Sequence, residues 1–327
     1  MTLIVSEVAQ AHEGSLGLAH SFIDASASSG AGAVKFQAHY AEFESTYQEP
    51  FRLKLSSQDD TRYQYWQRME FSLSEWRELS SHAHDLGLLF IVSPFSVESI
   101  NILNSVSIDM WKIGSGEVLN TPLLHRLNQE DKPIILSNGL SSDDELEAAL
   151  SLLHNHDLTL LECTSSYPAQ LCDVNIQNIQ RLKHKYNIKT GLSDHSGTVY
   201  PSLAAISNNA DMIEVHITFS KHMYGYDASA SLDPNQLKLV CDFNKAYHTM
   251  ISNDSLLSNK TAMRNVFGRS LALSKSMPCG TCITRDMLVL KKPGTGIPPS
   301  CLEELIGKKL CRDVDSRNLL QYNDFLP

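Results

Sequence analysis

Apolar runs of strand length recur eight times within the first 220 residues, and most are separated by stretches with helical spacing. The runs are LIVSEV (3–8), AVKFQAH (33–39), LLFIVSP (88–94), MWKIGSG (110–116), PIILSNG (133–139), LTLLECTSSYP (158–168), TGLSDHS (190–196) and MIEVHIT (212–218). Their hydrophobicity is continuous rather than alternating, the mark of strands buried on both faces of a parallel sheet. Among the intervening stretches, 15–30, 73–87, 141–156 and 175–187 carry apolar residues at helical spacing. Ser72 and the Ser-Ser-Asp-Asp opening at 141–144 supply caps and first-turn acids. Eight strand-helix units over about 250 residues match a closed (β/α)8 barrel. An open doubly wound sheet is the rival. Polar residues end all eight runs, whereas an open sheet gathers its site at one switch point, so the barrel is favoured.

The rest of the chain sets limits. A formal charge of −10 argues against broad nucleic-acid or membrane-surface binding, while leaving room for a local basic pocket. The chain has no charged leader before an apolar segment and no apolar run near the roughly 20 residues that span a bilayer, so a cytoplasmic protein is expected. Seven scattered cysteines predict reduced thiols. Cys279-Gly-Thr-Cys282 has redox or zinc spacing but no completing ligands, and is read as a turn. The long aromatic connection 40–71 is expected to fold over the barrel mouth. After a helix near 235–251, a polar stretch reads as a linker. The expected domains are a catalytic barrel (1–252), a linker (253–264) and a small β-rich unit (265–327), too small to be more than marginal alone.

The strand ends carry the chemistry. In order they present Glu7, Lys35 with Gln37, Ser93, Lys112 with Ser115 and Glu117, Ser137, Ser165 with Tyr167, Ser193 with His195, and His216. A lysine inside an apolar strand loses hydration and must find an anion, so Lys35 and Lys112 predict a buried carboxylate partner or a bound phosphate. Several hydroxyls on the same face favour the phosphate. His195 and His216, on successive strands about 4.8 Å apart, can share one divalent ion, with Glu7 next around a closed ring. Two imidazoles leave coordination positions open, which suits Lewis-acid catalysis rather than a structural site. His12, His39 and His222 lack this placement, and His12 is the one expected to reach the site.

The motifs EVAQAHEGS, VKFQ, SPFS, KIGSGE, ILSNGLSS, CTSSYP, GLSDHSG, VHIT, GYD and SLDP, in this order, resemble the sialic acid synthase family, whose members make N-acetylneuraminic, legionaminic and pseudaminic acids. The likeness extends to a tail similar to the antifreeze-like (SAF) domain, through VFGRSL and KKPGTGI. The resemblance implies a transferase that condenses phosphoenolpyruvate with an open-chain N-acetylmannosamine-type sugar and releases phosphate, using Mn²⁺ or else Mg²⁺ or Co²⁺. It assigns the metal to His195 and His216, and water activation to Glu7. Lys35, Lys112, Ser93, Ser115, Ser137 and Ser193 would hold phosphoenolpyruvate. Gln37, Glu117, Tyr167 and Asp227 would hold the sugar, and Phe95 of SPFS and Ser165 are counted with the substrate-binding residues.

It also implies a domain-swapped homodimer in which the tail caps a partner's barrel. Four positions depart from the family pattern: Lys292 stands for an arginine, Ser165 for an asparagine, Ser93 for a threonine and Tyr226 for a proline. Lys292 and Tyr226 fall on the sugar side, so an altered sugar preference is expected. The other readings weighed are a KDO 8-phosphate synthase type, a metal-dependent barrel aldolase or hydrolase, and a glycan- or ice-binding module suggested by the tail alone.

Overall fold

The computed structural model describes residues 1–53, 55, 57–252 and 256–326, with the side chains of 256–259 left out. It divides into two compact units, Met1–Ile251 and Ser252–Pro327. In the first, all eight apolar runs are strands: β1 (Leu3–Glu7), β2 (Ala33–Ala38), β3 (Leu89–Pro94), β4 (Met110–Ile113), β5 (Ile134–Ser137), β6 (Leu158–Cys163), β7 (Lys189–Asp194) and β8 (Met212–His216). They pair in parallel in chain order, and β1 pairs with β8, so the sheet closes and the open alternative is ruled out.

The period of two along each strand sorts residues between two environments. One set of alternate positions, such as Val34, Phe36, Phe90, Val92, Ile134 and Ile213, packs outward under the helices. The other set points into the barrel, where Val5, Ala33, Ile91, Ile135, Leu161 and Met212 form an apolar plug. Each helix that covers the outer face begins at a defined signal. Ser72 and Ser142 form capping boxes with Glu75 and Glu145, and Ser15 caps Leu16–Ser29, which stops at Gly30 in the left-handed region.

The register then aligns the last inward residue of each strand above the plug. Glu7 stands beside both Lys35 and His216, Gln37 beside Ser93, and Ser193 beside Glu214. Polar side chains can be buried there only because they face one another. The connection 40–71 contributes two short helices, Ala41–Glu44 and Arg62–Met69, and an aromatic cluster of Tyr65 and Trp66 packed by Phe51, Tyr63 and Tyr226.

The second unit holds the helix Leu256–Phe267 and a two-stranded antiparallel sheet, β9 (Ser270–Leu273) with β10 (Leu288–Lys291). Its own core includes Leu271, Leu273, Ile283, Ile297, Leu305 and Leu320. The expected linker 253–264 is thus helical from Leu256 onward, while 253–255 lie outside the described residues. Strong helix formers such as Leu, Lys, Ala, Met and Arg outweigh the polarity that suggested a linker. All seven cysteines are free thiols, and Cys279 and Cys282 meet backbone carbonyls around the turn at Gly280. Among the described residues, no helix is long and apolar enough to cross a membrane.

Strands β7 and β8 approach closely at Gly191. A Cβ at Gly191 would lie 2.0 Å from the Met212 carbonyl oxygen and 2.9 Å from the Leu161 side chain. Gly191→Ala is therefore expected to lower unfolding free energy by about 1–3 kcal/mol in denaturant titration. Gly17→Ala, where a Cβ meets nothing within 4 Å, should be neutral or stabilising. Equal stability of the two variants would contradict the β7–β8 register.

Candidate active site at the barrel mouth

The inward residues at the carboxyl ends of the strands close a cavity of about 570 Å³. At its floor are four buried charges. Lys35 Nζ lies 3.2 Å from Glu7 Oε2 and 3.2 Å from Glu214 Oε1, and Lys112 Nζ is 3.7 Å from Glu214 Oε1. None of these side chains is more than 4% exposed. Hydroxyls complete the set: Ser193 donates to Glu214 Oε1 at 3.1 Å, and Lys35 and Lys112 donate to Ser93 at 3.3 Å and Ser137 at 2.8 Å. The lysines expected to choose between a carboxylate partner and a phosphate thus have a carboxylate partner in common, Glu214. Glu214 escaped the sequence reading although it sits two residues before His216 and shares its face.

The two lysines are not equivalent. Burial depresses both, but Lys35, flanked by Glu214 and Glu7, ends above its ordinary value. Lys112 ends below it: burial dominates, the more distant Glu214 only partly compensates, and Lys35 repels it. Burial pushes Glu7 up, with Lys35 opposing, whereas Glu214 is held down to about 2 because Lys112 and Lys35 outweigh its burial. The floor therefore has one cation, Lys112, whose charge is incompletely matched, next to the hydroxyl of Ser137.

The paired histidines stand beside this cluster, with ring centroids 5.2 Å apart. His195 Nδ1 donates to the Thr164 carbonyl oxygen at 2.9 Å, leaving Nε2 as the basic nitrogen, 3.1 Å from the Tyr167 hydroxyl. Burial, reinforced by His216, pushes His195 down to about 3, so its ring is neutral. His216 Nδ1 is buried without a hydrogen-bond partner, and Asp227 Oδ2 lies 3.8 Å away. A neutral imidazole with its tautomer fixed by a backbone oxygen, beside an unpartnered imidazole nitrogen, fits two ligands of a divalent ion. Among the described residues no group of three His, Cys, Asp or Glu converges in ligating geometry. Glu7, although adjacent to His216, is engaged by Lys35 and by Gln37 Nε2 at 2.7 Å.

The outer half of the cavity is built by the aromatic connection as well as by the strands. Arg52 pairs with Asp227 at 2.8 Å, donates to the Tyr226 carbonyl oxygen and lies over the Tyr167 ring. Arg62 pairs with Glu49 at 2.9 Å and covers Trp66. Asn120 donates to Glu117 at 2.7 Å, and burial raises the Glu117 carboxyl.

Of the expected residues, Glu7, Lys35, Gln37, Ser93, Phe95, Lys112, Ser115, Glu117, Ser137, Tyr167, Ser193, His195, His216 and Asp227 line the one cavity. Ser165 reaches it through Ser115, at 2.9 Å. Lys292 lies in the second unit, its Nζ 5.7 Å from the Phe267 ring centroid. His12 is a correction. It is buried against Phe36 and Phe71 and does not line the cavity, whereas His39 does. His12 lies in the turn after β1, where packing against Phe71 and Phe36 rather than strand period sets its direction. Arg52, Arg62, His39, Glu44, Glu49 and Trp66 also line the cavity. They come from the end of β2 and the long connection, where no strand period announces which way a side chain turns.

A family model described as the NeuB family matches residues 22–255, and one described as the SAF domain matches 268–326. N,N'-diacetyllegionaminic acid synthase of Campylobacter jejuni is 33% identical across 98% of this chain and 99% of its own. Human N-acetylneuraminate-9-phosphate synthase is 31% identical, with coverage of 95% and 89%. Pseudaminic acid synthase of Campylobacter jejuni is 30% identical, with coverage of 98% and 96%. Among solved structures, N-acetylneuraminic acid synthetase from Leptospira borgpetersenii, in complex with citrate, superposes with a TM-score of 0.70 at 29% identity, covering 80% of this chain and 90% of that one. These relatives are named as synthases of sialic-type acids, and the family model spans β2 to β8. With most of its length matched by the family model and a SAF domain at its end, the chain belongs to the NeuB family.

Proposed function

We propose that the cavity condenses phosphoenolpyruvate with an open-chain N-acetylmannosamine-type sugar to give a nonulosonic acid and phosphate. The observation that carries this reading is Lys112, a buried cation with an incomplete counter-charge among serine hydroxyls, placed beside two metal-competent histidines. An anionic substrate completes the charge balance at the floor, and a carbonyl substrate finds the histidines above it.

Lys35, Lys112, Ser93, Ser115, Ser137 and Ser193 hold the phosphoenolpyruvate anion, with Lys112 supplying the unmatched charge. Their hydroxyls and ammonium groups are fixed before substrate enters, so they stabilise departing phosphate with little reorganisation. His195 and His216 hold a divalent ion, with Mn²⁺ first choice and Mg²⁺ or Co²⁺ alternatives. When bound, that ion supplies Lewis acidity to the sugar aldehyde oxygen. Tyr167 packs against the sugar, while Gln37, Glu117 and Asp227 accept or donate to its hydroxyl and acetamido groups, and Phe95 closes one wall. Bond formation joins C3 of phosphoenolpyruvate to the aldehyde carbon and leaves positive character at C2. Glu7 orients the water that adds there and takes its proton. The water's oxygen becomes the hydroxyl of a tetrahedral C2; as the C2–O bond to phosphate breaks, that hydroxyl becomes the C2 ketone and its proton leaves with phosphate, while the proton taken by Glu7 goes to the former aldehyde oxygen, now a hydroxyl. Burial keeps Glu7 basic enough for that proton transfer.

The acceptor is read as a sugar without its own phosphate. Among the described residues, both arginines of the outer cavity are already paired with carboxylates, and Glu44, Glu49, Glu117 and Asp227 outnumber them there. A second phosphate would meet more negative than positive charge, which also weighs against a KDO 8-phosphate synthase type. The SAF domain is assigned the role of capping a partner's barrel in a swapped homodimer, with Lys292 near the sugar, which gives a small domain a docking surface.

Incubation with phosphoenolpyruvate, Mn²⁺ and a panel of 2-acetamido sugars, each with and without a 6-phosphate, should release inorganic phosphate only when sugar is present. The unphosphorylated sugar should be favoured by at least about tenfold in kcat/KM, the effect of roughly 1.4 kcal/mol of charge repulsion. Release without sugar, or none with any sugar, would overturn the synthase reading. Preference for the 6-phosphate would overturn only the acceptor reading.

His216→Ala should lose turnover by about a thousandfold and also the Mn²⁺-dependent rise in Tm. Saturating metal at 100 times its Kd stabilises the native state by about 2.7 kcal/mol, so the rise is measurable without any assay of activity. A variant that keeps the rise would remove His216 from the metal site.

A further inference from the structure

His39 ends the AVKFQAH run and has no role in the reading above. Its ring is clamped between Trp66, with centroids 3.8 Å apart and planes 18° apart, and Phe95, at 4.4 Å and 13°. The residue is 5% exposed. Both ring nitrogens meet polar groups. Nδ1 donates to Glu44 Oε1 at 2.8 Å, and Nε2 lies 3.0 Å from Gln37 Oε1 and 3.1 Å from Gln10 Nε2. Gln10 Nε2 itself donates to Gln37 Oε1.

With its proton on Nδ1 for Glu44, His39 Nε2 accepts from Gln10 Nε2, and Gln10 Nε2 also donates to Gln37 Oε1, so the oxygen end of the Gln37 carboxamide is the end turned toward His39 and Gln10. A carboxamide has one accepting and one donating end. With its oxygen so placed, its Nε2 points the other way and donates to Glu7 Oε1 at 2.7 Å. The opposite carboxamide orientation would set oxygen against the fully buried Glu7 carboxylate. Lys35 reaches the second oxygen, Oε2, but is shared with Glu214. Gln37 is thus the one carboxamide that holds Glu7 Oε1 in place, and its orientation is set from the His39 side.

We propose that His39 is a positioning residue for Glu7, acting through the carboxamides of Gln10 and Gln37; this rests on the synthase reading, in which Glu7 orients the attacking water. Glu44 and the two aromatic rings fix the imidazole, the imidazole holds Gln10 through Nε2, Gln10 fixes the Gln37 amide, and the amide fixes Glu7. A water held by a misaligned carboxylate is a poorer nucleophile, because proton transfer falls off steeply outside hydrogen-bond reach. The effect belongs to kcat and not to phosphoenolpyruvate binding, which uses the lysines and serines.

His39→Phe keeps a ring between Trp66 and Phe95 and deletes both nitrogens, so the stacking that holds the fold is retained. The expected result is a kcat lower by about tenfold to a hundredfold, with the KM for phosphoenolpyruvate changed less than about threefold. His39→Gln, which returns an acceptor near Nε2, should recover part of the loss. The pair His39→Phe with Gln37→Met should be no slower than Gln37→Met alone, as expected of residues acting in one chain. In a crystal structure of His39→Phe, Gln37 Nε2 should lie beyond about 3.5 Å from Glu7 Oε1, outside hydrogen-bond range. A kcat within twofold of the parent, additive losses in the pair, or a Gln37–Glu7 bond unchanged in that structure would each overturn the proposal. Absence of turnover in the parent enzyme itself would instead overturn the synthase reading, and the crystal structure would still decide whether His39 orients Gln37.

Discussion

Four ionisable side chains are buried on the floor of this barrel, and the rest of the site is arranged around their mutual compensation. Lys35 sits 3.2 Å from each of Glu7 and Glu214, while Lys112 has only Glu214, at 3.7 Å. Removing one member of a buried pair strands a charge and costs about 3–5 kcal/mol. The cluster can therefore exist only if strands β1, β2, β4 and β8 deliver their inward residues to one level. Closure of β1 against β8 and the tight β7–β8 contact at Gly191 achieve that delivery. The barrel's apolar plug below it excludes water, which strengthens each of these interactions.

An asymmetry within the cluster connects stability to chemistry. Lys35 is satisfied by protein carboxylates and holds the floor together. Lys112 is not, and it faces the cavity with Ser137. The same burial keeps His195 neutral and able to serve as a ligand, raises Glu7 toward the range of a general base, and leaves His216 Nδ1 unpartnered. One low-dielectric floor thus sets the state of the two lysines, of Glu7 and of the paired histidines together, which is what the proposed anion site, metal site and base rest on. The outer cavity has the reverse character, since its arginines are neutralised by Asp227 and Glu49. Inner and outer halves consequently suit different partners: a charged one below and an uncharged, hydroxyl-rich one above.

Much of this was legible in the chain because parallel strands of a barrel have a strict period. Once the apolar runs are recognised, the final odd-numbered residues Glu7, Lys35, Ser93, Ser137, Ser193 and His195 follow, and all line the cavity. Glu214 shares the inward face of β8 with Met212 and His216, but a single acid inside an apolar run carries less signal than the histidine that follows it. His12 was misplaced and His39 undervalued for the opposite reason. Both lie in or near turns after strands, where orientation is decided by tertiary packing against Phe71 or Trp66 rather than by period. Arg52 and Arg62 belong to a long connection whose path depends on aromatic packing with Tyr226, which no local pattern encodes. The stretch from Leu256 to Phe267 shows the limit of polarity as a guide, because helix formers prevailed over a polar composition.

The central claim is that Lys112 is the cation left for the substrate. Calorimetric titration of phosphoenolpyruvate into Lys112→Met, with no sugar present, tests it most directly. Methionine retains the length and apolar stem while Lys35 still compensates Glu214, so the variant should remain folded. Its affinity for phosphoenolpyruvate should fall at least about a hundredfold, or roughly 2.8 kcal/mol. A folded Lys112→Met protein that binds phosphoenolpyruvate as tightly as the parent would contradict the account.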